Sequence, residues 1–256
     1  MKTITPNKEK DQHFLIDKKI LAKEIETAGL SKNDKVIEIG AGTGILTKEL
    51  AKHCKEVLAF EIDKRFKDSL DQIKKENKNN NLKIIYDNAL NYNWEGYNKI
   101  VSNLPYSLSE PAILNAISPS IEELTLIVGE NFKNLLSEKE SKIGIIADLF
   151  YDFHPIAKVN KQSFFPSPRV DSWLIQLTKK GELSNAEKIL QGIVLKNGKV
   201  KNAVLYSLLE QGNTKNQARE IINKLGIHEA VLNKPVKKLT GKFLLRLKEE
   251  LENLIL

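Results

Sequence analysis

Short apolar runs alternate with amphipathic stretches along the first two thirds of the chain. Ile16, Ile20, Leu21, Ile25 and Ala28 recur at helical spacing, and Gly29 ends the pattern. Residues 36–39 form an apolar run suited to a buried parallel strand, and a glycine turn then leads into a helix over 45–53. The same alternation predicts strands at 57–62, 82–86, 99–102 and 124–128, with helices at 66–75 and from 111 to 116. Pro166 and Pro168 precede an alternating stretch to Leu177 that predicts a late strand after a rigid loop. Beyond Gly181 the pattern is helical: Ile189, Ile193 and Val194 share one face, and Val204, Leu205, Leu208 and Leu209 another. Phe243, Leu244, Leu247, Leu251 and Leu254 mark a last helix opened by Thr240. A doubly wound α/β domain over residues 1–180 and a small helical domain over 181–256 are therefore expected.

Composition sharpens this picture. No apolar run reaches the roughly 18 residues of a membrane span. Residues 1–11 are polar and carry no signal-peptide pattern, so a cytoplasmic protein is expected. The single cysteine, Cys54, excludes an internal disulfide and a cysteine-based zinc site and is expected to be a packing residue on a helix. Histidines 13, 53, 154 and 228 lack metal-ligand spacing, with His154 expected in a loop, and no metal is expected. Residues 179–256 hold 15 Lys+Arg against 8 Asp+Glu, while the rest of the chain holds 25 of each sign. A basic region beside a neutral body suits a polyanionic partner. The plainer alternative is a lysine-rich solvated surface, which the Asn/Lys run 74–81 also suggests.

The chemistry gathers after the predicted strands. Gly40, Gly42 and Gly44 permit a sharp turn after the first strand and close approach to a ligand, although glycines serving strand–helix packing would read the same way. Glu61, at the tip of the second strand beside Ile62, can accept both ribose hydroxyls of a nucleoside. Asn88, with Ala89 beside it, follows the third strand and is placed for an adenine edge. With no Arg or Lys in the glycine loop, S-adenosylmethionine fits better than a pyrophosphate cofactor. Asn103-Leu104-Pro105-Tyr106 follows the fourth strand, at the carboxyl edge where such sheets bind ligands. Adenine's exocyclic amine is a poor nucleophile because its lone pair is delocalised. The Asn103 amide oxygen and the Leu104 carbonyl can each accept one N–H and favour a pyramidal nitrogen, Pro105 stiffens the turn, and Tyr106 can stack on the base.

Together these residues resemble the rRNA adenine N6-dimethyltransferases of the small ribosomal subunit, especially their archaeal members. The likeness also takes in Gln12-His13-Phe14-Leu15, Phe164-Phe165-Pro166-Ser167-Pro168-Arg169-Val170-Asp171-Ser172 and Lys238-Leu239-Thr240-Gly241-Lys242-Phe243. It implies a Rossmann-like class I S-adenosylmethionine-dependent methyltransferase domain with a helical C-terminal domain. It implies dimethylation of two adjacent adenosines near the 3′ end of small-subunit rRNA, within a pre-ribosomal particle and by a monomer. By position, His13, Leu15, Gly40, Gly42, Glu61, Ile62, Asn88, Ala89 and Asn103 would serve the cofactor. Tyr106 and Phe164 would sandwich a flipped-out base. Asn88 departs from the family's usual Asp, Gly129-Glu130-Asn131-Phe132 lacks its Gln-Lys-Glu, and Lys196, Lys199 and Lys201 stand where it has a denser arginine cluster that contacts RNA. Two alternatives accompany this expectation. One is an rRNA-binding assembly factor with weak or no methyl transfer; the other is the same chemistry on large-subunit rRNA or protein glutamine.

Overall fold

The structure, a computed structural model, describes residues 12–117, 120–138 and 141–255. The polar stretch 1–11 lies outside the described residues. The chain divides into two compact units, Met1–Asn134 with Asp152–Lys179, and Leu135–Tyr151 with Lys180–Leu256.

In the first unit, β1 (Phe14–Leu15) leads into α1 (Lys18–Thr27), capped by Asp17, whose carboxylate accepts the Lys19 N–H at 2.9 Å. Then follow β2 (Lys35–Ile39), α2 (Ile45–His53), β3 (Glu56–Phe60), α3 (Lys67–Glu76) and β4 (Leu82–Ile85). Next come β5 (Lys99–Asn103), α4 (Ser109–Ala116), β6 (Glu123–Gly129) and α5 (Glu130–Ser137), which crosses the division between the units. After α6 (Lys142–Phe150) come β7 (Tyr151–Val159), β8 (Phe164–Phe165) and β9 (Ser172–Lys179). Seven strands make one sheet in the order β4-β3-β2-β5-β6-β9-β7, and β8 pairs antiparallel with β1. β2 to β6 run parallel, and β9 runs antiparallel to β6.

Strand order reverses at β2, with β3 and β4 on one side and β5 and β6 on the other. Such a reversal opens a crevice at the carboxyl ends of the strands. β2 registers with β3 from Lys35↔Glu56 to Ile39↔Phe60, but with β5 only at Val36↔Lys99 and Ile37↔Ile100. Where that second ladder stops, the Ser102 hydroxyl takes over. Its Oγ accepts the Ile39 N–H at 3.2 Å and donates to the Ile39 carbonyl at 2.6 Å. Below, Val36, Leu50, Val57, Phe66, Leu70 and Val101 form the core between the sheet and its helices.

The second unit adds α7 (Asn185–Leu195), α8 (Val200–Glu210), α9 (Lys215–Lys224), α10 (Glu229–Leu232) and α11 (Gly241–Ile255) to α6. Capping boxes at Ser184/Glu187 and Thr214/Gln217 start α7 and α9, and Thr240 Oγ1 accepts the Phe243 N–H in the first turn of α11. Residues 135–151 join this unit, whereas the sequence pattern assigns them to the α/β domain. α6 explains the difference: Ile143, Ile145, Ile146, Ala147 and Leu149 are all buried, so the helix is buried along most of its length and its partner cannot be read from a stripe. His154 and Pro155 lie in β7 and not in a loop. β7 ends the sheet order, and an edge strand tolerates proline. Cys54 is buried just past α2, its Sγ–H donating to the Leu50 carbonyl, and burial pushes the thiol up to about 11.

Gly44 joins the cofactor-type loop to α2 at φ 82°. A Cβ there would collide with Ile73 Cδ1 and lie 2.9 Å from Leu70 Cδ2, both on α3. Gly29, at φ 49°, has nothing within 4 Å of such an atom. Gly44→Ala should therefore destabilise the protein by about 2–4 kcal/mol and Gly29→Ala by roughly 1 kcal/mol. Urea unfolding of the two variants measures this, and equal losses would contradict the packing role assigned to Gly44.

Candidate active site

The crevice at the carboxyl ends of β2 and β5 is a cavity of about 350 Å³. Four segments wall it: the N-terminal stretch 12–15, the glycine loop, the tips of β3 and β4, and Asn103 to Leu108 with Phe164. Gly40, Gly42 and Gly44 all adopt positive φ, at 81°, 53° and 82°. A Cβ on Gly42 would sit 3.1 Å from the Phe14 ring, and one on Gly40 3.5 Å from Pro105 Cδ. The loop thus closes against both the N-terminal segment and the Asn103–Tyr106 turn.

Glu61 follows β3 and is only 6% exposed. Its Oε2 accepts the Gly42 N–H and its Oε1 the Asp63 N–H, both at 2.7 Å. Burial raises its pKa, while the Asp63 and Gly42 N–H groups favour the charged form. The carboxyl is held rigidly, and each oxygen keeps a second lone pair. Asp63 anchors the N-terminal segment. It pairs with Arg65 Nη2 at 2.6 Å and accepts from Gln12 Nε2 at 2.9 Å, and the Arg65 contact holds its carboxyl well below the usual range. One residue on, His13 Nδ1–H donates to the Pro166 carbonyl at 2.7 Å. Next to it the β1–β8 pairing sets Phe14 opposite Phe165 and Leu15 opposite Phe164. Leu15 and Phe164 are buried together with Ile127, Val159 and Leu174, and both also line the cavity.

Asn103 ends β5 and lines the cavity; its Oδ1 is buried and has no hydrogen-bond partner. Leu104 is buried, its N–H given to the Ile127 carbonyl at 3.2 Å. Tyr106 is fixed on three sides. Its hydroxyl meets Ser172 Oγ at 2.8 Å, Gly129 lies under its ring, and the His13 ring stacks at 6.1 Å and 28°. Asn88 lines the cavity, and its Oδ1 accepts the Leu90 N–H at 3.1 Å, capping the following turn and keeping one further lone pair. Ala89 is buried, Ile62 exposed, and both are in the cavity wall, as is the carboxylate-bearing Asp87.

Two acids behind this wall stand out. Glu38, on β2, is 1% exposed, lines the cavity and has an unpartnered Oε2. Burial, opposed by Thr47 and reinforced by Glu61, pushes its pKa up to about 8. Glu24, on α1, is fully buried with both oxygens unpartnered, and burial next to Glu38 raises its pKa well above the usual range.

A family model described as ribosomal RNA adenine dimethylase matches residues 4–249. The chain belongs to the ribosomal RNA adenine dimethylase family. It is 34% identical over 238 residues to a probable ribosomal RNA small subunit methyltransferase A of Methanococcus aeolicus, covering 87% of each chain. It is 32% identical over 208 residues to the protein of the same description from Pyrococcus abyssi, covering 79% of this chain and 76% of that one. The fold is that of a dimethyladenosine transferase from Plasmodium falciparum (TM-score 0.65, 24% identity, 94% of this chain and 98% of that one). A 23S rRNA methyltransferase, ErmE, shares it at TM-score 0.63 and 23% identity, over 93% and 99% of the two chains. The Rossmann-like class I methyltransferase architecture expected for this family is thus present.

In this member of the family, His13, Leu15, Gly40, Gly42, Glu61, Ile62, Asn88, Ala89, Asn103, Leu104, Pro105, Tyr106 and Phe164, all named from sequence, line one cavity, whereas Gly44 of the same loop does not. Lys196, Lys199 and Lys201 stand in the helical unit. Lys196 Nζ is held by Glu210 at 2.7 Å, while Lys199 and Lys201 are exposed at the start of α8. Sequence reading missed Glu38, Glu24, Ser102 and the Gln12–Asp63–Arg65 cluster. Glu24 did carry a signal, because it falls one turn from both Ile20 and Ala28 on the apolar face of its helix.

Glu38 provides a test of how dry this wall is. A carboxyl with a raised folded pKa keeps its proton while the unfolded chain sheds it. Stability is therefore full below the ordinary value of 4.5 and is lost as pH rises to about 8. Glu38→Gln removes that loss, so the variant should gain on the wild type between pH 5 and pH 8, at most about 1.4 kcal/mol per pH unit. Urea unfolding across this range checks it; a difference that stays flat with pH would contradict the burial argument.

Proposed function

We propose that the enzyme transfers methyl groups from S-adenosylmethionine to N6 of two adjacent adenosines near the 3′ end of small-subunit rRNA, two to each. The further proposals are that it works as a monomer in the cytoplasm on a pre-ribosomal particle, and that residues 1–180 carry the chemistry while 181–256 contact rRNA. One observation carries the reading. A rigid carboxylate suited to ribose hydroxyls, Glu61, and an unpartnered buried amide oxygen, on Asn103, border the same cavity.

The residues fit the cofactor. Glu61 has a lone pair to spare on each oxygen for two ribose hydroxyls, Gly40 and Gly42 line the cavity with bare backbone, and the wall at Asn88 and Ala89 suits an adenine edge. When bound, the group supplies an electrophilic methyl on a sulfonium. The protein's part is to align and to polarise. Asn103 Oδ1 accepts one N–H of the target amine and the Leu104 carbonyl the other, which draws the nitrogen toward a pyramidal shape. An acceptor in a water-poor wall does this more effectively than one in bulk solvent. Tyr106, with its hydroxyl tied to Ser172, and Phe164 are the aromatic residues of the cavity wall assigned to an unstacked base, which would take the place of the His13 ring against Tyr106 or lie beside it. No strong base is needed, because the methylated nitrogen is cationic and sheds its proton readily.

The names of the relatives, and the Asn103–Tyr106 turn at the cavity, favour transfer over a binding role alone. Small-subunit rRNA is favoured over other targets because relatives at 32–34% identity carry that description. Mass spectrometry of the rRNA 3′ fragment, before and after treatment with enzyme and donor, should find four added methyl groups on two neighbouring adenosines. Modification elsewhere, or none with RNA binding retained, would overturn the reading.

Two further outcomes are expected. Asn103→Ala should lower methyl transfer at least about 100-fold, the scale of losing a preorganised polar group, with donor affinity nearly unchanged. Equal loss of both in equilibrium dialysis would contradict its role. Lys199→Gln with Lys201→Gln should reduce the salt slope of RNA binding by up to about 1.4–1.8, at roughly 0.7–0.9 per phosphate contact. Lys196 is left out because Glu210 already pairs it, and an unchanged slope would move the RNA surface elsewhere.

A further inference from the structure

The N-terminal segment 12–15 walls the cavity and is tied to both of its sides. Toward the reactive turn, His13 donates to the Pro166 carbonyl, its ring stacks on Tyr106, and β1 pairs with β8. Toward the glycine loop, the Phe14 ring lies 3.1 Å from where a Cβ on Gly42 would stand and meets the Phe66 ring edge-on at 5.4 Å. A pair of two-residue strands is marginal without further contacts. Side chains must therefore hold the segment on its glycine-loop side.

Gln12, Asp63 and Arg65 form a closed circuit of hydrogen bonds there. Gln12 Nε2–H donates to Asp63 Oδ2 at 2.9 Å, and Arg65 Nη2–H donates to Gln12 Oε1 at 3.1 Å. Arg65 closes the circuit on Asp63, with Nε 3.0 Å from both carboxylate oxygens and Nη2 2.6 Å from Oδ2. Both ends of the Gln12 amide are used, which fixes its orientation. The planar guanidinium reaches carboxylate and amide together, a bridge that suits its fork of donors. Asp63 in turn gives its own N–H to Glu61 Oε1 at 2.7 Å. The clasp on the N-terminal segment and the carboxylate read as the ribose acceptor thus share one residue.

The Asp63 side chain is 4% exposed and that of Arg65 44%. A pair so open on one side adds little to global stability. The turn 64–66 is held without the guanidinium, by the Arg65 N–H on Asp63 Oδ1 at 3.1 Å and by the buried Phe66. Resting on the reading of the cavity as the S-adenosylmethionine site, we propose that Gln12 and Arg65 are positioning residues for the donor. Their clasp on Asp63 holds segment 12–15 against the glycine loop, so that His13 and Leu15 stand in the wall before the donor arrives. A preformed wall loses no donor affinity to its own ordering. With the clasp cut, β1–β8 and the His13–Pro166 bond still hold the segment, and it loosens only where Phe14 meets Gly42 and Phe66.

Charge and position predict opposite signs. S-adenosylmethionine carries a net positive charge, so removing the Arg65 cation favours its binding by electrostatics alone, whereas losing the clasp disfavours it. The test is isothermal titration of S-adenosylmethionine into full-length Arg65→Ala, Gln12→Ala and the double variant. Neither single change leaves Asp63 without a partner, because the other side chain and the Arg65 N–H remain, so Tm should stay within about 2 °C of wild type. Each single variant should weaken donor affinity at least about threefold, and the double at most about twofold beyond the weaker single, because the two side chains act as one unit. A smaller loss, tighter binding, fully additive losses, or weakened binding that only follows a lowered Tm would overturn the proposal.

A second readout needs no donor. The nuclear Overhauser effect between the Phe14 ring and Gly42 Hα should fall to about half or less in both single variants, while that between the Leu15 and Phe164 side chains persists. An effect at Phe14 that stays above that level in either variant, or equal loss at both pairs, would overturn the proposal. If the wild-type protein binds no S-adenosylmethionine yet the Phe14–Gly42 contact still weakens in both variants, the reading of the cavity fails and the clasp on the segment stands.

Discussion

The site depends on one interruption in the backbone ladder. β2 and β5 are paired only at Val36↔Lys99 and Ile37↔Ile100, and beyond that point a single hydroxyl, that of Ser102, bonds both backbone groups of Ile39. The strands remain tied while their chains turn apart, one into the glycine loop and the other into Asn103-Leu104-Pro105-Tyr106. Buried backbone groups left without partners would cost about 1–3 kcal/mol each, so the serine makes the parting affordable. Around the gap, Gly40 meets Pro105 and Gly42 meets Phe14, so cofactor loop, reactive turn and N-terminal segment share one small volume.

That volume is bordered by buried acids. Glu24, Glu38 and Glu61 follow one another from α1 through β2 to the end of β3, each with its pKa raised chiefly by burial. They differ in what they touch. Glu61 has a backbone N–H on each oxygen, which both fixes it and favours its charge. Glu38 and Glu24 retain unpartnered oxygens and lean toward the neutral form. Of the three, Glu61 is the one whose backbone N–H partners favour the charged form, and it stands in the wall of the cavity. This suits a reaction in which positive charge passes from one atom to another without a net change.

Much of this was legible in the sequence because the signals are local. The run Val36 to Ile39, the glycines after it, Glu61 at a strand tip and the Asn103–Tyr106 turn each declare themselves within a few residues, and their strands were found within a residue or two of their ends. What stayed hidden depends on distant partners. β1 and β8 are two-residue strands that exist only because residues 14–15 and 164–165 meet. α6 is buried along most of its length and gives no facing stripe, so the sequence pattern does not show that residues 135–151 group with the helical unit. Lys196 reads as a free cation until Glu210, fourteen residues on, is seen to hold it. Glu24 was passed over because a charged residue in a helix is ordinarily taken for its solvated face.

The central claim is that Glu61, immobilised by the Gly42 and Asp63 N–H groups, is what binds the nucleoside part of the methyl donor. Isothermal titration of Glu61→Gln with S-adenosylmethionine tests this most directly. Gln offers one acceptor in place of two and turns an N–H toward a backbone N–H. Losing even one hydrogen bond to a charged group, about 1.5–3 kcal/mol, should weaken donor affinity at least tenfold while the protein stays folded. An unchanged Kd would contradict the account at its root.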